Sequence, residues 1–370
     1  MEFNSKVEYW AWKNNDNSPA RGHYKIENTV VHFNYSIVNI GDLIEEKDLI
    51  TEENTGNKKV IVSIVFSYAT FGKGFEIKSC YFNNDIELSN CIYGYNFCLL
   101  NNKFNQVFNI SSSRIEANIV FIRKNEFLSS AKLYDLSSTS AIIIEECIFS
   151  DEVDFSNSEF HKRVSIKNCT FKKGVKFNRV NFFNDFSFIN NEVCGCISFE
   201  NSAFKGRVKI FHIKGIMDEI NLTSSVIRGL LELNSSTSSL ILPEKSSIKL
   251  KNVFVEPEGY LIIRNINKNQ EFTGEIDFTD ANLLGNVVLK NIYLKRFFLT
   301  NAVMVGGFYT EHLHFKEESD SQTYVRLKDE ALKNNNSIEA MQYREKEMSS
   351  YSKELNSQRS LANFFCMAYR

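Results

Sequence analysis

Few residues in this chain have a type and spacing that suit chemistry, and each has a plainer use. Cys194 and Cys196 form a CGC triplet of the kind a redox couple or a metal would use. Zinc needs four converging ligands, and one CxC without a second pair supplies two. His312 and His314 in EHLHF share a strand face, which is again two ligands rather than a site. The stretch DEVD at 151–154 offers three carboxylates. Acid–base work needs a cleft that shifts their pKa values, and a solvated corner shifts little. No nucleophile elbow, phosphate loop, HExxH or Rossmann fingerprint occurs. The expectation is a protein that is not an enzyme, with no metal, cofactor or small-molecule substrate.

Charge is more suggestive. The whole chain carries a formal −2, so no global polyelectrolyte partner is implied. Between residues 161 and 214, however, Lys162, Arg163, Lys167, Lys172, Lys173, Lys176, Arg179, Lys205, Arg207, Lys209 and Lys214 face only Asp185, Glu192 and Glu200, a net +8. Solubilising surface and edge-blocking lysine explain such a run in the ordinary case. The sharper reading is a surface for an anionic partner, carried by Lys162, Arg163, Lys172, Lys173, Lys176, Arg179, Lys205, Arg207 and Lys209: a lipid headgroup or an acidic protein. Aromatic residues in this segment read as inward-facing, which argues against nucleic acid.

The elements that position these residues come from a repeat. At 370 residues and 43% hydrophobic content the chain is globular, yet it holds 32 Phe and only 3 Pro. In CTFKKGVKFNRVNF, and on either side of it, Phe149, Phe160, Phe171, Phe182, Val193 and Phe204 recur every 11 residues. Val153, Val164, Val175, Phe186, Ile197 and Val208 keep the same step, as do Phe155, Ile166, Phe177, Phe188, Phe199 and Ile210. A fourth column is small or polar: Cys147, Ser158, Cys169, Val180, Asn191 and Ser202. An earlier block repeats the design through Phe71, Phe82, Tyr93, Phe104 and Ile115, with Ile119 and Phe121 closing its third and fourth columns before a one-residue slip ahead of Phe127. Apolar residues two apart share one face of a strand and opposite sides of a helix, so each 11-mer holds two short strands. Two 11-mers make a coil of about 22 residues, and coils stack at roughly 4.8 Å. Phe149, Phe171 and Val193 then form one internal ladder, and Phe160, Phe182 and Phe204 the opposite one. Cys80, Cys91, Cys147 and Cys169 fall in the small inward column, where packing accounts for them; without a secretory signal pattern they read as reduced thiols.

The pattern in CTFKKGVKFNRVNF and SEFHKRVSIKNCTF resembles the pentapeptide-repeat proteins, in their variant with alternating five- and six-residue faces. The resemblance covers 66–210, and more loosely 276–315 through Ile276, Phe278, Ala281, Leu283, Val287, Leu289, Ile292 and Leu294. It implies a mainly β protein: a right-handed, four-sided parallel β-helix, or solenoid. Large residues at Phe75, Phe97, Phe108 and Phe186 stand where the family places Ala.

The rest of the chain flanks this rod. Residues 1–60 lack the repeat and read as a strand-rich N-terminal cap. The β-helix spans 61–315 and is irregular at 212–275, where Ile220, Leu222, Ser225, Ile227, Leu231 and Leu233 still fit and the stretches 234–239 and 242–247 read as corner insertions. Residues 316–370 read as an α-helical hairpin: Tyr324, Leu327, Ala331 and Leu332 at helical spacing, a turn at 334–336, then Ser337 as N-cap of a second helix running to Leu355. Ile338, Met341, Met348, Tyr351 and Leu355 give that helix its apolar stripe. LKDEALKNNNSIEAMQYREKEM resembles one tetratricopeptide-type unit. Tyr324, Leu327, Ile338, Met341, Met348 and Tyr351 are the candidate partner-docking residues.

These readings favour a non-enzymatic interaction scaffold or adaptor with a protein partner, in the cytoplasm of a bacterium and peripheral to its inner membrane as the resemblance implies; a homodimer also fits. No run approaches the roughly 20 apolar residues of a membrane helix. Two alternatives are a DNA-mimic modulator of a topoisomerase, which needs an acidic face, and a β-helix enzyme acting on polysaccharide, which needs a wide groove.

Overall fold

The computed structural model describes residues 63–368 except 216, 235–244, 268–271 and 318, and before them 2–3, 23–26, 31–33, 37, 49–51 and 58–60; beyond residue 356 it describes the backbone alone. The rest of the expected N-terminal cap lies outside the described residues.

The chain winds as a parallel β-solenoid with four sheets. One coil shows the order: Glu159–Phe160, Val164–Lys167, Thr170–Phe171 and Val175–Lys176, after which Asn181–Phe182 begins the next. Stacked coils give sheets of 13, 11, 8 and 12 strands, here sides one to four in that order. Every described pairing is parallel except that of Leu49–Thr51 with Lys58–Val60. Val31–Phe33 and His23–Ile26 pair in parallel with Ala69–Phe71 and Ser63–Ser67, so residues of the first 60 continue sides one and four.

Both ladders expected from the repeat are present. Phe149 pairs with Phe171 and Phe171 with Val193 on side three; Phe160, Phe182 and Phe204 align on side one. The rings of Phe82, Phe104, Phe127, Phe149 and Phe171 stack at 5.1, 4.8, 4.8 and 5.0 Å, nearly coplanar. All are buried, and the core is one continuous column of side chains.

Two corners of each coil turn on a single residue in the left-handed region. From Lys124 these fall every 11 residues through Asp135, Glu146, Asn157, Asn168, Arg179, Asn190 and Asn201 to His212, with φ of 54–58°. Asn tolerates this conformation because its short polar side chain bonds locally. The small inward column follows each such corner. There Cys80 N–H donates to Asn102 Oδ1 of the next coil at 3.0 Å, Asn102 N–H to Asn125 Oδ1 at 2.9 Å, and Cys169 N–H to Asn191 Oδ1 at 2.9 Å. The other two corners are short loops, and at Gly206 and Gly229 a Cβ would strike the backbone of the preceding coil.

One register differs from the expectation. Ile119 and Phe121 face outward, while Val120 and Ile122 are buried. The extra residue sits in the corner between Arg114–Ile115 and Ile119–Arg123, one strand earlier than the hydrophobic spacing places it. Strands of period two hide such a slip, because IVFIR is apolar on both faces.

In the irregular stretch Ile220, Leu222, Ser225, Ile227, Leu231 and Leu233 are all buried as expected. The second proposed insertion overlaps a strand of side four, Ser247–Lys249; residues 235–244 lie outside the described residues.

Two helices end the chain: α1, Ser321–Lys333, and α2, Ser337–Ala368. Asp320 caps α1, accepting from Thr323 N–H at 2.9 Å. The cap of α2 is Asn336 rather than Ser337. Asn336 Oδ1 accepts from Glu339 N–H at 3.2 Å, and its side-chain amide donates to Glu339 Oε2 at 2.7 Å. The helix also runs past Leu355, because no Pro or Gly interrupts the sequence there.

Candidate interaction surfaces

The hairpin divides its candidate residues between two jobs. Tyr324, Leu327 and Ala331 of α1 are buried on the open end of the last coil, and Tyr324 stacks on Phe315 at 5.8 Å. Side chains of α1 and its cap take the place of the missing next rung. Thr323 Oγ1 accepts from Leu299 N–H at 2.8 Å, Gln322 Oε1 from Asn301 N–H at 3.1 Å, and Ser319 Oγ donates to the Phe297 carbonyl. This satisfies backbone groups that an open edge would leave bare.

Helix α2 packs on α1 through its small and polar side. Ala340, Tyr343 and Ser350 are buried there. Lys328 pairs with Glu347 at 2.6 Å, Ser321 N–H and Oγ donate to Glu354 at 2.9 and 2.8 Å, and Ser350 Oγ donates to the Ser319 carbonyl at 2.8 Å. Tyr343 hydroxyl donates to Glu339 at 2.9 Å, and burial with that carboxylate raises its pKa. The apolar stripe points the other way: Ile338, Met341 and Met348 are 73%, 68% and 62% exposed, and Tyr351 is half exposed. Beside it a cleft of about 440 Å³ opens between the helices, lined by Leu332, Ala340, Met341 and Met348.

The solenoid distributes the basic residues around its perimeter. Lys172 and Lys173 lie at the corner between sides three and four, with Lys176 on side four and Arg179 at the next corner. Lys173 pairs with Asp151 at 3.0 Å and Lys176 with Glu152 at 2.5 Å, so two of the three DEVD carboxylates serve as rung-to-rung ion-pair partners; the third, Asp154, accepts from Ser156 N–H at 2.9 Å. Lys162 and Arg163, and two coils on Lys205 and Arg207, fall at the corner between sides one and two; Lys209 is on side two. Among the described residues none of these five makes an ion pair. The aromatic expectation needs correcting here. Phe183 faces outward at this corner, stacked on His161 at 4.4 Å, with Lys205 Nζ 4.0 Å from the ring centre. The run FF at 182–183 crosses a corner, so one ring points in and the next out.

The remaining candidates are structural in their contacts. Cys80, Cys91, Cys147 and Cys169 are free and buried, and each thiol donates to the carbonyl two residues before it at 3.2–3.3 Å. Burial raises the Cys196 thiol to about 11, unsuited to a nucleophile at neutral pH. His312 occupies a left-handed corner, and His314 stacks on Tyr293 at 5.1 Å. Both border a cleft of about 730 Å³ between the last coil and α2. No group of three or more His, Cys, Asp or Glu with metal-binding geometry occurs among the described residues, and no described helix is long and apolar enough to cross a membrane.

No family model, curated protein or solved structure matches this chain. The fold itself defines the class: a four-sheet parallel β-solenoid closed by a helical hairpin, consistent with the architecture that the resemblance to pentapeptide-repeat proteins implies.

Proposed function

We propose that this protein is a non-enzymatic interaction scaffold, in which the solenoid and α1 hold α2 rigidly so that its apolar stripe docks a protein partner. The observation that carries this reading is the orientation of α2. A helix stabilised only by its own fold would bury Ile338, Met341 and Met348; here small and polar residues are buried and the large apolar ones face out. The non-enzymatic part is supported by the contacts of Asp151 and Glu152, which are in ion pairs, and of Cys147 and Cys169, whose thiols donate to backbone carbonyls. The tetratricopeptide likeness of the hairpin, a place in the bacterial cytoplasm beside the inner membrane and the five-plus-six repeat type rest on sequence resemblance and belong to the same proposal.

The test is capture of partners by the full chain and by the double variant Met341→Glu/Met348→Glu. Both sites are exposed, so folding stability should change by less than about 0.5 kcal/mol. The variant should lose the partner that the parent retains. Equal capture by both proteins overturns the assignment of α2.

A further inference from the structure

The outward face of side two carries a second feature that the scaffold reading does not use. Three consecutive coils present there Arg163, Ser165 and Lys167; then Asp185, Ser187 and Ile189; then Arg207, Lys209 and Phe211. Coils are about 4.8 Å apart and alternate residues of a strand roughly 6.6 Å apart, so the four cations stand at the margins of a patch about 10 by 13 Å. At its middle are the two serines. They occupy outward positions, yet are only 4% and 7% exposed. Ser187 Oγ is shielded from solvent and has no hydrogen-bond partner. A buried hydroxyl left unpaired is costly, and its usual remedy is a partner.

The cations of the patch are likewise not held by carboxylates. Elsewhere a cation commonly meets a carboxylate of a neighbouring coil, as in Arg123 with Glu146, Lys249 with Glu219 and Lys290 with Glu311. Among the described residues Arg163, Lys167, Arg207 and Lys209 have no ion-pair partner. The one carboxylate inside the patch, Asp185, accepts from Arg207 N–H at 3.1 Å. Four cations without a carboxylate partner, Lys209 with its Nζ 5.7 Å from the Phe211 ring centre, around a recessed, unpaired hydroxyl form a cradle for a tetrahedral oxyanion. A phosphate dianion brings several strong acceptor oxygens and the charge to match.

We propose that this patch binds a phosphomonoester borne on a protein partner, a phosphoserine or phosphothreonine in an extended segment. Ser187 and Ser165 donate to the phosphate from below, Arg163, Arg207, Lys167 and Lys209 close over it, and Ile189 and Phe211 receive apolar side chains beside it. A lipid surface is disfavoured by the borders of the patch. Glu145 aligns with Lys167 on one side and Glu232 with Lys209 on the other, which confines the positive field to these coils. The site is independent of α2, so it stands or falls separately from the docking of the hairpin.

The experiment uses the full chain and a fluorescent phosphoserine peptide with leucine flanks, read by anisotropy against its unphosphorylated twin and against sedimentation with mixed phosphatidylcholine–phosphatidylserine vesicles. Binding of the phosphopeptide alone is expected. Arg163→Gln/Arg207→Gln should weaken it about tenfold or more, since it removes charge-assisted bonds. Ser187→Ala should weaken it several-fold without lowering thermal stability, because the hydroxyl it removes has no partner in the free protein. Lys172→Gln/Lys173→Gln, the same change of charge at another corner, should leave it intact. Equal binding of the twin, equal loss in both double variants, or vesicle binding without phosphopeptide binding overturns the proposal.

Discussion

A single dihedral angle recurs through this molecule. Its left-handed corners hold Asn at many positions, but also Arg179, Glu146 and Lys124, whose Cβ atoms pay about 1–2 kcal/mol for the conformation. Arg179→Gly should raise stability by about 0.5–1 kcal/mol, and Asn190→Val should lower it by about 1–2 kcal/mol; denaturant titration of each against the parent checks both signs. A second residue-scale effect is alkaline. Burial pushes the Cys91 thiol up to about 12 from an ordinary 9.0. Its proton stays on in the folded chain and leaves in the unfolded one, so the stability it contributes is intact below pH 9 and falls as pH climbs towards 12. Cys91→Ser, with Ser113 already at the same position in the next coil, should lose less stability than the parent between pH 8 and pH 10.5. Parallel losses would refute the linkage. The corner asparagines stood in the sequence at the same 11-residue step as the phenylalanines, so their role was within reach. Ser187 was not, because its isolation depends on what lies one coil above and below.

Among the elements, the short strands have no independent stability; two residues form a strand only because the coils on both sides already have. The Phe ladder supplies much of that mutual support. Phe149 lies between Phe127 and Phe171 with ring separations of 4.8 and 5.0 Å, so Phe149→Ala opens a cavity that its neighbours, fixed by their own coils, fill poorly. The expected loss is about 3–5 kcal/mol, measurable by urea unfolding, and a loss below 1 kcal/mol would show that the column relaxes. The inward columns were legible because period two and period 11 reinforce each other. The slip before Ile119 was placed one strand late because IVFIR offers an apolar residue to either face. In the hairpin the docking candidates of α2 are exposed, whereas Tyr324 and Leu327 of α1 are buried on the last coil. The apolar stripe of α2 was visible, but the spacing of Ile338, Met341 and Met348 says only that they share a face, and Tyr343, Ser350 and Glu354 turned out to be the face that packs.

At the scale of the whole molecule, the described strands of the solenoid pair with strands of the adjacent coils. Partners that align in register are about 22 residues apart through the regular coils, as Phe149 is from Phe171, and further apart in the irregular stretch, where Val226 aligns with Phe254 and Leu230 with Tyr260. The described edge at the C-terminal end is closed by α1, whose Thr323 and Gln322 accept from Leu299 and Asn301. Pulled by its two ends in an optical trap, such a molecule should come apart like a zip. Once α1 lets go, each rupture frees a single coil, about 75 Å of extended chain, and presents the next one unchanged to the same force. The trace would be a staircase of near-equal steps through the regular coils and longer ones through the irregular stretch, with a taller first step where the helix is torn from the end of the rod. An architecture chosen for a surface of fixed spacing thus also sets a graded mechanical response.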